Sequence, residues 1–136
     1  MIINKVYHLA DLHIRNLQRH KEYRQVFRKF LKQVKEDKIE DSVIYIAGDI
    51  AHAKTEMSPE LIKEISWFLT ECAKLREVIL ITGNHDCNLN NSHRLDVLTP
   101  IIDNLQNPRI HYLRDTGVYN IHNLTFVVYS IMDNKE

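Results

Sequence analysis

The sequence predicts an α/β fold built on a parallel sheet. Two observations carry this: three short apolar runs that read as strands, and two amphipathic runs of helical length between them. Strand–helix–strand–helix–strand over the first 86 residues implies right-handed crossovers and a parallel core.

The first strand is read over Ile2 to Leu9, closing on Ala10-Asp11. A helix comes next, from about Leu17 to Glu36, with Tyr23, Val26, Phe27, Phe30, Leu31 and Val34 as its apolar stripe. Ser42 to Ala47 is apolar on nearly every position, as expected of a strand buried on both faces, and ends in Gly48-Asp49. Ser58-Pro59-Glu60 opens the second helix with an N-cap, a proline at the first helical position and an acid at the positive end of the dipole. Its stripe is Leu61, Ile65, Phe68, Cys72 and Leu75, which makes Cys72 a core residue. Val78 to Thr82 is the third strand, ending in Gly83-Asn84-His85-Asp86. Beyond it, a short helix is read within Arg94 to Leu105, and a hairpin over Gly117 to Ser130 turning near His122-Asn123.

Composition excludes several classes. A chain of 136 residues with 44% hydrophobic and 26% charged residues has room for one ordinary globular domain and is not disordered. No apolar run approaches the length of a membrane span, and no secretory leader is visible at the start. Two cysteines make no disulfide framework, so the expected setting is intracellular: cytoplasm, or nucleus or viral replication site in a eukaryotic host. The zero net charge hides an asymmetry, since Arg15 to Lys38 hold nine Lys/Arg against three acids. That basic stretch suits either a solvated helix face or contact with a polyanion.

The informative feature is the short polar motif at the end of each strand: Asp11-Leu12-His13, Gly48-Asp49 and Gly83-Asn84-His85-Asp86. Each interval between them fits one helix-plus-strand crossover, so all three should meet at the carboxyl edge of one sheet, where open α/β folds place their ligands. Asp, His and Asn together offer hard oxygens and imidazole nitrogen, a set suited to Mn²⁺, Fe or Zn²⁺. Asp49 is the candidate bridge between two cations, and Gly83 is expected to supply the sharp turn that aims Asn84 and His85 into the site. Asp86 is expected to be a hydrogen-bond partner behind the site, Cys87 a small buried filler, and Trp67 half-exposed packing.

These motifs resemble the first three of the calcineurin-like metallophosphoesterases. His8-Leu-Ala-Asp-Leu-His13, Gly48-Asp-Ile-Ala-His52, Asn84-His-Asp86, Asn88-Leu-Asn-Asn91 and Arg94-Leu-Asp96 further resemble the SbcD-like exonucleases of double-strand-break repair, including phage and viral forms. The resemblance implies a metallophosphoesterase-type β-sandwich flanked by helices, with the parallel core in its N-terminal half. It implies Asp11, His13 and Asp49 around one metal, Asp49 and Asn84 around a second, and His85 beside the scissile phosphate. Two divalent ions are implied, Mn²⁺ first, with Fe, Zn and Mg as alternatives. So are DNA as substrate, an SbcC-type ABC ATPase partner and homodimerisation. Arg15, Arg19, His20, His52 and Arg94 are the candidate DNA contacts.

The family's two later motifs, a lone histidine and a Gly-His-x-His, have no match here: His93, His111 and His122 stand alone. The expectation is therefore that residues 1–136 are the N-terminal part of one nuclease domain that does not cleave DNA by itself. The alternatives are a small-molecule phosphodiesterase or protein phosphatase of the same superfamily, or a non-catalytic fragment.

Overall fold

The computed structural model describes residues 1–52, 57–87 and 95–133. Its elements run β1 (Lys5–Leu9), α1 (His20–Glu36), β2 (Ser42–Ala47), α2 (Pro59–Leu75), β3 (Glu77–Ile81), α3 (Leu98–Leu105), β4 (Ile110–Tyr112), β5 (Gly117–Ile121) and β6 (Leu124–Val128). Strands β1 to β4 form a parallel sheet in the order β1-β2-β3-β4, and β5-β6 form a separate antiparallel hairpin. Because the order never reverses, right-handed crossovers put every helix on one face of the sheet. The hairpin covers the other face.

The alternation of side chains results from that arrangement. Ile44, Ile46, Val78 and Leu80 point toward the helices and pack with Phe27, Val34, Leu61, Ile65, Phe68 and Leu98. Val43 and Ile79 point the opposite way, with Ile3, Leu113 and Ile121, against Phe126 and Val128. Strand β2 is thus apolar on both faces, as its sequence required. Helices α1 and α2 meet through Phe27 stacked on Phe68, with ring centroids 4.1 Å apart. Trp67 stays half-buried beneath the guanidinium of Arg24, 4.0 Å from the ring, and Arg24 forms a two-bond pair with Glu64. No helix among the described residues is long and apolar enough to cross a membrane.

Several boundaries differ from the sequence expectation. Helix α1 begins at His20 because Leu17 and Arg19 both adopt left-handed backbone, which no helix accommodates. Val26, expected in its apolar stripe, faces solvent, while Phe27, Leu31 and Val34 make the buried line. Strand β1 starts at Lys5; Ile3 is buried through a different attachment, its N–H and C=O both held by the Asn123 side chain in the hairpin turn. Strand β4 is absent from the sequence expectation: Ile-His-Tyr is too short to register as a pattern and exists by pairing with β3. Helix α3 begins at Leu98, and Arg94, its expected start, lies outside the described residues. Ser58 caps α2 as expected, accepting from Leu61 N–H at 3.1 Å.

Arg76 binds the lower end of the molecule together. It is buried at the C-terminus of α2 and donates to Ser42 Oγ (2.7 Å) and to the carbonyls of Leu75, Val34 and Asp37 (2.8, 3.3 and 3.1 Å). One cation therefore satisfies the last carbonyls of α1 while fixing the start of β2. Arg76→Ala should cost about 3 kcal/mol, since several charge-assisted bonds vanish and buried carbonyls are left unpaired. Urea unfolding should show a lower midpoint with an unchanged slope.

Candidate metal centre at the carboxyl edge

The three motif loops are neighbours because β1, β2 and β3 are neighbours. The β1–β2 ladder continues past the strands: Asp11 N–H donates to the Gly48 carbonyl (3.3 Å), His13 N–H to that of Asp49 (2.9 Å), and Ile14 N–H to that of Ile50 (2.8 Å). His52 N–H returns to the Ile14 carbonyl at 3.0 Å. Tyr23 of α1 pins the same loop by donating its hydroxyl to the His13 carbonyl at 2.6 Å. Backbone thus sets where Asp11, His13, Asp49 and His52 stand.

Asp11, His13 and Asp49 all have positive φ, at 54°, 47° and 52°. Non-glycine residues rarely adopt this region, and each costs on the order of 1 kcal/mol there. Gly48 has φ 83°. Gly83 opens the expected turn, its carbonyl accepting the Asp86 N–H at 3.1 Å, and it matters for a second reason. A β-carbon on Gly83 would overlap Asp49 Oδ1, and one on Gly48 would lie 2.8 Å from the Gly83 backbone. The two loops touch at a distance that only glycine permits.

That contact fixes the Asp49 carboxylate. Its Oδ1 accepts the His85 N–H at 2.8 Å, and its Oδ2 lies 3.3 Å from His85 Nδ1 and 3.8 Å from His13 Nε2. Burial pushes the Asp49 carboxyl up, but the His85 N–H and the imidazoles of His85 and His13 outweigh it, so it ionises below the usual range. On the far side, His13 Nε2 lies 3.6 Å from Asp11 Oδ1. Asp11, His13 and Asp49 each offer an atom within 4.8 Å of the others, which is a cluster able to hold a metal ion. The Asn84 amide completes the other side. One amide orientation sets its NH₂ 3.0 and 3.1 Å from Asp49 Oδ2 and Oδ1, donating to both. The other sets Oδ1 there, facing the carboxylate oxygens, an arrangement a cation would make favourable. Carboxylate, imidazole and amide oxygen without thiolate fit a divalent ion such as Mn²⁺, Fe or Zn²⁺.

Asp86 holds the site from behind. It is buried, and its two oxygens accept from Ala51 N–H and Gly83 N–H at 2.8 and 2.9 Å, tying the second and third loops together. Burial raises its pKa to about 6. Cys87 and Cys72 are both buried, and burial pushes the Cys72 thiol far up, as expected of a core residue and not a nucleophile.

A further network was not legible in the sequence. Buried Asp96 accepts from Tyr112 OH (2.8 Å) and from Thr99, and Tyr112 OH also meets Thr82 Oγ1 at 2.5 Å, one residue before Gly83. No spacing rule links residues 82, 96 and 112; β4 brings them together.

Of the candidate DNA contacts, Arg15 is exposed and its guanidinium acts on the His52 ring electrostatically. Arg19 is paired with Glu22 at the exposed start of α1, and His20 Nε2 meets the Arg15 carbonyl at 2.6 Å. His52 joins His13 and His85 in a cluster of rings. Arg94 and the Asn88–Asn91 stretch lie outside the described residues. His8 is a surface residue packed on Tyr45.

A parallel sheet with Asp, His and Asn clustered at its carboxyl edge defines a metallophosphoesterase-type core. The chain belongs to the calcineurin-like phosphoesterase family, whose model matches residues 4–134. Members of this family are metal-dependent hydrolases of phosphoric esters. An uncharacterized protein of Acanthamoeba polyphaga mimivirus is 47% identical over 134 residues, which cover 97% of this chain and 10% of that protein. The chain therefore spans about a tenth of the length of the relative it matches.

Two outcomes test the architecture of the site. Gly83→Ala should displace Asp49 and destabilise the fold by about 3 kcal/mol, because the clash is with backbone and a held carboxylate; chemical denaturation measures it. In metal-free protein, the Asp86 carboxyl binds its proton more tightly folded than unfolded, so its contribution falls as pH rises from about 4 to about 6. The stability gap between wild type and Asp86→Asn should shrink across that window by no more than about 3 kcal/mol.

Proposed function

We propose that this chain carries the first part of a two-metal phosphodiesterase site acting on DNA, as in the nuclease subunits of double-strand-break repair. The observation that carries the reading is the placement of Asp49, whose carboxylate lies between Asp11 and His13 on one side and Asn84 and His85 on the other. Asp11, His13 and Asp49 would hold one ion, and Asp49 with Asn84 the second. Bound divalent ions, Mn²⁺ on this reading, polarise the phosphoryl oxygens and lower the pKa of water so that hydroxide forms near neutral pH.

The chain's own contribution is orientation and proton handling. Gly48 and Gly83 let the two loops approach until Asp49 is shared. His85 is fixed through its backbone N–H and through Nδ1 on Asp49, which leaves Nε2 directed away from the carboxylate. A ring so held can donate a proton to a leaving oxygen while its orientation is maintained. Arg15, exposed beside His52, supplies a positive charge where a phosphodiester backbone would run. The partners on this reading are DNA, an SbcC-type ABC ATPase and a second copy of the nuclease subunit.

Metal and DNA binding are the first readouts, because this reading leaves both ions short of protein ligands within the chain. Wild-type chain should take up Mn²⁺, followed by electron paramagnetic resonance of the free ion. Asp49→Asn should abolish uptake, and His85→Gln should keep it. DNA binding should weaken with salt, and Arg15→Ala should reduce the slope of that dependence by about one phosphate contact. No uptake by wild type, or uptake unchanged in Asp49→Asn, would overturn the metal assignment. Absence of salt-dependent DNA binding would return the site to a small phosphodiester.

A further inference from the structure

Three imidazoles converge at the carboxyl edge from three different strand ends. The ring centroids of His13 and His85 are 4.5 Å apart, those of His13 and His52 5.5 Å, and those of His52 and His85 5.4 Å. A nitrogen from each lies within 4.8 Å of the others. We infer that His13, His52 and His85 form a second metal locus, selective for Zn²⁺, that competes with the carboxylate locus for His13. Its binding stands on this geometry alone, while its consequence for hydrolysis rests on the function proposed above.

The two nitrogens of His13 face different groups. Nε2 looks toward Asp11 and Asp49, at 3.6 and 3.8 Å. Nδ1 lies 3.3 Å from Nδ1 of His52. Two ring nitrogens at that distance share one proton at most, and two nitrogen ligands on one tetrahedral zinc, at about 2.0–2.1 Å each, are separated by about 3.3 Å. His85 has Nδ1 engaged by Asp49 at 3.3 Å, so Nε2 is its free ligand atom. Three neutral imidazoles with a fourth position open to solvent are a set that zinc favours. The oxygens of Asp11, Asp49 and Asn84 suit harder ions such as Mn²⁺ or Mg²⁺. His52 is exposed, which leaves the locus an entry route.

The loci exclude one another through His13. A neutral imidazole has one lone pair and carries its proton on the other nitrogen. Zinc on Nδ1 moves that proton to Nε2 and withdraws the ligand from Asp11 and Asp49. It also occupies His85, so the zinc-loaded site would lack both an ion ligand and its proposed proton donor. The same three strand ends then support one state that takes Mn²⁺ and another that zinc holds inactive.

Co²⁺ and Zn²⁺ titrations of the metal-free 136-residue chain test this, with His52→Ala and Asp11→Ala as variants. Both positions are exposed, and circular dichroism checks that the fold is kept. Wild type and Asp11→Ala should give the intense visible absorption of tetrahedral Co²⁺. His52→Ala should lose it and bind Zn²⁺ about a hundredfold more weakly in competition with a chromophoric chelator, one ligand's share of a zinc site. Mn²⁺ uptake should show the reverse pattern, lost in Asp11→Ala and kept in His52→Ala, and Zn²⁺ should displace Mn²⁺ from wild type. Zinc affinity unchanged in His52→Ala, or octahedral Co²⁺ throughout, would overturn the inference and leave the phosphoesterase reading intact. A His52-dependent zinc site in a chain that takes up no Mn²⁺ would overturn that reading and leave this inference standing.

Discussion

The contact between the Asp49 carboxylate and the Gly83 backbone is the constraint around which the site is arranged. It requires that two loops after adjacent strands approach closer than any β-carbon allows, and Gly48 and Gly83 are the residues that permit it. Once it is made, the His85 N–H finds Asp49, and Asp86 reaches back to the amides of Ala51 and Gly83. Backbone donors thus orient both carboxylates, and the His85 ring adds a side-chain contact to Asp49.

The left-handed backbone of Asp11, His13 and Asp49 belongs to the same construction. Such strain persists only where the surroundings over-determine it. Here they do: the β1–β2 ladder continues past the strand ends, Tyr23 holds the His13 carbonyl, and Ile14, Ile50 and Ala51 are wholly buried beneath the loops. The hydrophobic core between sheet and helices therefore does more than stabilise. It is the anvil against which three polar residues are pressed into conformations they would not choose in a free chain.

The opposite face of the sheet is organised by the hairpin. Ile121, Leu124, Phe126 and Val128 pack toward Val43, Tyr45 and Ile79. Glu77 accepts from His111 and His122, both at 2.8 Å, and Asn123 holds both backbone groups of Ile3. Strand β6 is thus anchored by its inner face and its turn, while Val118 and Val127 face outward as a cross-strand pair. The two isolated histidines at 111 and 122 serve this clasp.

Much of the fold was legible in the residues. The β2 run, the cap and proline of α2, its apolar stripe and the hairpin turn all depend on local rules, because each involves residues near one another in the chain. The clustering of Asp11, Asp49, Asn84 and His85 was equally legible, since parallel crossovers can deliver three strand ends only to one edge. What sequence could not supply was most of what contact between distant segments sets: strand β4 exists by pairing with β3, and the Thr82–Tyr112–Asp96 network joins three separate segments. Even for the two glycines, sequence shows that Gly83 opens a turn but not that it lies against Asp49. Local pattern determined which residues arrive at the edge of the sheet; only tertiary packing decided how close they come and which atoms they present.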